Sequence, residues 1–128
     1  MPNERREKVQ RFTDLEVWRR SHELFLRLLL DLESLPNTRV ATVLTDQSVR
    51  SLGSIGANIA EGFNRSKAKY LNCLDISVGE ANETENWLYK LRDSKLLWRE
   101  KANTHVAEVI QIQKMLSALY RSISRRSS

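Results

Sequence analysis

The feature that most constrains this chain is an apolar spacing of three and four residues. It recurs with little interruption from about residue 13 to about residue 124. That spacing returns once per helical turn and cannot line one face of a strand. Only 4 Gly and 2 Pro punctuate the 128 residues, too little turn material for a sandwich or barrel of many short strands. The expectation is an all-α fold. A chain of this length makes one domain whose core needs no disulfide or structural metal. Cys73 has no second cysteine to pair with, which fits a reducing, cytoplasmic compartment. The opening MPNERREKVQ lacks the apolar stretch of a secretory signal. The run from Leu24 to Leu32 is broken by Arg27 and Asp31, so no membrane span is expected.

Four helices are legible. In the first, Thr13 and Glu16 have the spacing of a capping box, with Phe12 before them as the staple residue. Leu15, Trp18, His22, Phe25, Leu29 and Leu32 follow as its seam, and Pro36 with Asn37 ends it. Leu24, Leu28 and Leu30 widen the apolar surface beyond one stripe. The second helix is centred on Asp46 to Ala60, with Thr45 as a candidate cap and Gly62 marking its end. Gly53 and Gly56 each cost about 1 kcal/mol inside a helix, so a close neighbour is expected there. The third runs from about Ser66 to about Lys95, with Tyr70, Leu74, Ser77, Ala81, Thr84, Leu88 and Leu91 as its seam. Its small middle residues are expected to meet those of helix two in a close crossing. The fourth spans about Glu100 to Ser124, with Val106, Val109, Gln113, Leu116, Tyr120 and Ile123 inward. Short links between four helices predict an antiparallel up-down-up-down bundle over residues 12–124. A basic flexible arm (1–11) and a basic tail (125–128) flank it.

The net charge of +5 lies entirely in residues 1–11 and 121–128. Residues 1–11 carry Arg5, Arg6, Lys8 and Arg11 against two acids. Residues 121–128 carry Arg121, Arg125 and Arg126 against none. The body between them is balanced. Basic arms on a neutral body suit phosphate backbones, because each contact releases counterions; solubilising tails are the plainer alternative.

No set of residues converges on catalysis. The residues three before His22 and His105 are Arg19 and Ala102, so the Glu-x-x-His pairs of di-iron bundles are absent. His22 on the seam of helix one reads as a core histidine, and His105 as a surface residue. Cys73 among apolar neighbours reads as an inert packing group. There is no nucleophile elbow and no phosphate-cradling glycine loop. Glu80, Glu83 and Glu85 with Asp75 read as a solvated, ion-paired face. Asn58 and Glu61, three apart in N-I-A-E-G, read as a polar clamp from helix two to a neighbour through Thr84 or Glu83. Phe63, Arg65, Lys67, Lys69 and Tyr70 mix aromatics with bases at the next turn, where the bases are placed to meet phosphates. No metal, no cofactor and no enzyme activity are expected.

Phe12, Asp14, Leu15, Val17 and Trp18 form an F-x-D-L-x-V-W opening. Ser54, Ile55, Asn58, Ile59, Ala60, Glu61 and Gly62 form S-I-x-x-N-I-A-E-G, followed by Arg65-Ser66 and by Gly79 with Glu83-Thr84-Glu85. Over about residues 12–97 this resembles the four-helix-bundle family encoded in intervening sequences of bacterial 23S ribosomal RNA genes. The resemblance implies an up-down bundle, often a homopentamer with a central channel, and no enzyme activity. It also implies kinship with the accessory variability determinant of diversity-generating retroelements, which binds nucleic acid and partners a reverse transcriptase.

Together these features predict a non-enzymatic, oligomeric bundle that binds RNA or DNA by shape and charge. The candidate contacts are Arg5, Arg6, Lys8, Arg11, Arg19, Arg20, Arg65, Lys67, Lys69, Arg121, Arg125 and Arg126. The alternative is a scaffold whose neutral body docks a protein such as a reverse transcriptase.

Overall fold

The computed structural model describes residues 8–127. A 3-10 turn over Phe12–Asp14 leads into α1 (Glu16–Leu32), α2 (Arg39–Gly62), α3 (Lys67–Asp93) and α4 (Arg99–Ser124). The described residues contain no strand. Successive helices run antiparallel and pack side by side, and α4 closes back on α1 around one shared core. This is the expected up-down-up-down bundle. The α2–α3 and α3–α4 seams are the closest, and α1 is the most loosely docked helix.

The core seams of α3 and α4 follow the expected residues closely. Tyr70, Leu74, Ser77, Ala81, Thr84, Leu88 and Leu91 are all buried. In α4, Val106, Val109, Leu116 and Ile123 are buried as expected, and Ile112 joins them. Gln113 sits at the edge and donates to Glu85 at 2.7 Å, whereas Tyr120 is exposed.

Helix α1 is rotated from the expected seam. Its buried face is Val17, Ser21, Leu24, Leu28 and Leu32. Trp18 and Phe25 lie on the flank, and His22 is exposed. The true face passes through Ser21, a polar residue that its own helix satisfies: the hydroxyl donates to Trp18 O at 2.9 Å. The helix start also differs. Thr13 and Glu16 form no box. Instead Asp14 Oδ2 accepts from the backbone N–H groups of Gln10 and Arg11, each at 3.0 Å. Those two bonds hold the Asp14 carboxyl below its usual range.

The two histidines exchange places with their expected surroundings. His105 is buried at 6% exposure, and its Nε2 lies 2.6 Å from Asp31 Oδ2. Lys101 approaches the other Asp31 oxygen at 3.5 Å. This cluster ties the end of α1 to the start of α4.

Helix α2 begins two turns before the expected centre. Thr38, not Thr45, is the cap, and its side chain accepts from Ala41 N. The turn after α2 takes its left-handed residue from Asn64 (φ 61°), not from a glycine. Gly62 serves packing instead, because a Cβ there would stand 2.6 Å from Cys73 Cβ. Gly53 and Gly56 face α1 rather than α3: added Cβ atoms would meet Phe25 Cε1 and Trp18 Nε1, both at 3.3 Å. The close α2–α3 crossing exists, but it is built on serines. Thr84 donates to Ser51 Oγ and Ser77 donates to Ile55 O, each at 2.9 Å.

Candidate nucleic-acid interface

The antiparallel order sends the C-terminus of α2, the N-terminus of α3 and the C-terminus of α4 to one end of the bundle. The start of α1 approaches the same half, since Phe12 and Trp18 border Ala57 and Ala60. Of the expected basic contacts, Arg65, Lys67, Lys69, Arg121, Arg125 and Arg126 lie at that end, Lys8, Arg11, Arg19 and Arg20 lie before or along the start of α1, and Arg5 and Arg6 lie outside the described residues.

These ten are not equivalent. Arg20 is committed. It grips Glu108 on α4 with two parallel bonds, Nε–Oε2 at 2.8 Å and Nη2–Oε1 at 2.7 Å. That fork holds the Glu108 carboxyl below its usual range. Arg20 thus ties α1 to α4 and is removed from the set of free cations. Arg19 is partly engaged: Nε donates to Thr13 O at 2.8 Å, and Asp14 lies 3.7 Å away.

At the turn from α2 to α3, Lys69 pairs with Glu61 at 3.3 Å. Lys67 Nζ donates to Arg126 O at 2.7 Å, which ties the tail of α4 to the start of α3. Arg65, Arg121, Arg125 and Arg126 are exposed, and no side-chain ion pair holds them among the described residues. Lys8 is exposed, and Arg11 stands over the Phe12 ring at 5.9 Å. The resulting patch presents several exposed guanidinium groups around one pole, with Glu61 against Lys69 and Asp75 lining the same concavity as Arg121 as built-in counter-charges.

Asn58 and Glu61 do not act as one clamp. Asn58 donates to Ser54 O of its own helix at 2.8 Å. Glu61 reaches α3, but at the surface through Lys69. The residues expected to receive the clamp have other partners: Thr84 binds Ser51, and Glu83 pairs with Arg50 of α2. Arg50 also lies 3.5 Å from Glu80, so these two acids of α3 share one cation.

Beside this pole, a groove of about 340 Å³ separates α1 from α2. Phe12, Trp18, His22 and Phe25 form one wall, and Gly53, Gly56, Ala57 and Ala60 the other. Trp18 and His22 stack at 4.8 Å with planes 12° apart. The sequence reading placed these aromatics in the core. What signals the groove is the coincidence of a wide apolar surface on α1 with an all-small stripe on α2. Among the described residues no group of three or more His, Cys, Asp or Glu is placed to hold a metal ion. No helix there is long and apolar enough to cross a membrane.

Residues 13–118 match the family described as 23S rRNA-intervening sequence protein. The chain belongs to that family. A crystal structure of a protein of unknown function from the S23 ribosomal protein family of Bacteroides thetaiotaomicron is similar to it at 34% identity. Its TM-score is 0.75, over 82% of this chain and 95% of that one. Comparison with curated proteins returned no match. For this member of the intervening-sequence family, the matched span covers the 3-10 turn and all helices but the last two turns of α4. Most of the basic residues at the two chain ends fall outside it.

Proposed function

We propose that this intervening-sequence protein is a non-enzymatic nucleic-acid-binding bundle that grips phosphate backbones with its basic pole. The observation that supports this most is the gathering of Arg65, Arg121, Arg125 and Arg126 at one end, free of ion pairs among the described residues. Fixed cations on a rigid end contact phosphates without reading bases, so affinity falls steeply with salt and varies little with sequence. Homo-oligomerisation, with a pentamer as the form the resemblance implies, would repeat the pole and raise avidity without new contacts. Within a retroelement, such a particle would hold template RNA or cDNA near a reverse transcriptase.

The test is binding of the purified chain to structured RNA and to duplex DNA across a salt series, with particle mass from light scattering. The expected result is a steep negative slope of log affinity against log salt, from a particle several times 14.9 kDa. Replacing Arg65, Arg121, Arg125 and Arg126 with Gln should weaken every sequence alike. Unchanged affinity in that variant overturns the proposal.

The apolar α1–α2 groove favours a second reading, in which the body docks a protein partner and the basic pole plays no part. That reading predicts partner binding that survives high salt, with negligible affinity for free nucleic acid.

A further inference from the structure

We propose that Trp98, at the pole opposite the basic one, is a stacking platform for an unpaired nucleobase, with Lys95 and Arg99 engaging the phosphates beside it. The inference rests on the nucleic-acid-binding reading above and adds to it a preference for single strands.

Trp98 is 74% exposed, the highest value among the large apolar side chains described. Its position makes that exposure hard to explain by folding. It is the N-cap residue of α4, where Ser, Thr, Asp or Asn would accept a backbone N–H, and its side chain makes no cap bond. The residue thus forgoes a cap and exposes an indole, with no compensating contact in the core. The neighbouring Leu97 is 4% exposed and, with Leu96 packed beside it, carries the packing of this connector. Local choices that oppose the fold in this way mark functional positions.

The platform is also held still. Ser94 N donates to Lys90 O at 3.0 Å, and Leu97 N to Leu91 O at 3.1 Å, closing the end of α3. Lys95 adopts the left-handed region at φ 66°, an uncommon choice for a residue without the Asn or Gly preference for it. On the other side, Ala102 N donates to Trp98 O at 2.9 Å. The backbone that carries the ring is therefore fixed on both sides.

The charge around the ring fits a nucleic acid strand. A concavity of about 400 Å³ is lined by Trp98 together with Arg92, Lys95 and Arg99. The one acid there, Asp93, is already paired with Arg92 at 2.8 Å. Lys95 and Arg99 remain without a salt bridge among the described residues. An exposed ring flanked by free cations is the arrangement by which single strands are held without base-edge readout.

The test uses the full chain with three probes of equal length: oligo(dT), the same strand with abasic sites, and a duplex. In the wild type, oligo(dT) should quench tryptophan emission and bind more tightly than the abasic strand. Trp98→Ser should raise the melting temperature, because it supplies the missing cap. It should also weaken oligo(dT) by about tenfold while leaving duplex affinity unchanged, the change expected when one stacked base is lost. Trp98→Tyr should restore most of the oligo(dT) affinity. Neutralising the basic pole should abolish duplex binding yet preserve the difference between oligo(dT) and the abasic strand.

Retained oligo(dT) affinity in Trp98→Ser overturns the inference, as does equal wild-type affinity for oligo(dT) and the abasic strand. An emission shift with phosphatidylserine vesicles but not with oligo(dT) would assign the ring to a lipid surface and overturn it too. Duplex binding that is intact while oligo(dT) binding shows no dependence on Trp98 sinks this inference alone. Failure of the wild type to bind any of the three probes sinks the basic-pole reading with it.

Discussion

Gly62 and Gly79 sit on consecutive helices in opposite surroundings. A Cβ at Gly62 would stand 2.6 Å from Cys73 Cβ and 3.3 Å from Tyr70 Cα, so neither atom can swing away. A Cβ at Gly79 meets nothing within 4 Å. Gly62→Ala should therefore destabilise the chain by about 2 kcal/mol through overpacking. Gly79→Ala should stabilise it by up to about 1 kcal/mol, the difference in helix propensity. Chemical denaturation of the two variants checks both signs. A Gly62→Ala variant as stable as the wild type would mean that the α2–α3 crossing can widen freely. At this scale the sequence showed that α2 glycines need a neighbour, but not which one. Gly53 and Gly56 look toward α1, and only Gly62 looks toward α3. Spacing alone cannot fix that rotation, because the small residues of α2 cover more than one face.

At the scale of elements, α1 is the shortest and most loosely docked of the four helices. It is held to α4 by Arg20–Glu108 and by Asp31–His105. Its side toward α2 combines close contacts at Gly53 and Gly56 with an open groove. Native-state hydrogen exchange should show α1 amides opening before those of α3, whose seam is buried along its whole length. The Arg20–Glu108 fork adds a dependence on pH. Glu108 is held below the usual carboxylate range, so its contribution is complete at neutral pH. It is lost as the pH falls through that range and below it. With Arg20 one-third exposed, the pair is worth about 1 kcal/mol. An Arg20→Leu variant should melt about 4 °C lower at pH 7, with the gap closing near pH 3.

These ties also explain what was illegible. Helix α1 read as a seam through Trp18, His22 and Phe25 because its apolar residues cover two adjacent faces. The buried one passes through Ser21, which no hydropathy pattern selects. The first two turns of α2 carry exposed Val40 and Val43, with Ala41 the one buried residue of its first turn, so they show no seam at all. His105 finds its partner 74 residues away, and Arg20 finds Glu108 88 residues away. Pairings that distant leave no local trace. By contrast the seam of α3 was legible residue by residue, and that of α4 in part: Val106, Val109, Leu116 and Ile123 are buried as expected, while Ala102, His105 and Ile112 join them and Gln113 and Tyr120 do not.

For the whole molecule, the charge reading and the topology meet. An even number of antiparallel helices brings the start of α1 and the end of α4 to one half of the bundle, so basic residues far apart in sequence come together there. Lys67 fastens that end by binding Arg126 O. Lys67→Ala should loosen the tail of α4 and raise exchange at residues 122–126, while changing duplex affinity less than the four-arginine variant does. Amide exchange and the salt series together separate the two effects. Candidate contacts were legible from charge counts; the loss of Arg20 from that set was not, since it needs the fold.

The lone thiol follows from the same geometry. Cys73 is 1% exposed and lies directly beneath Gly62. A reagent can reach its sulfur only after α2 and α3 part at the basic pole. The rate at which the thiol is alkylated is then a clock for the opening of that pole. Anything that clamps the pole shut slows the clock, with no label added to the chain.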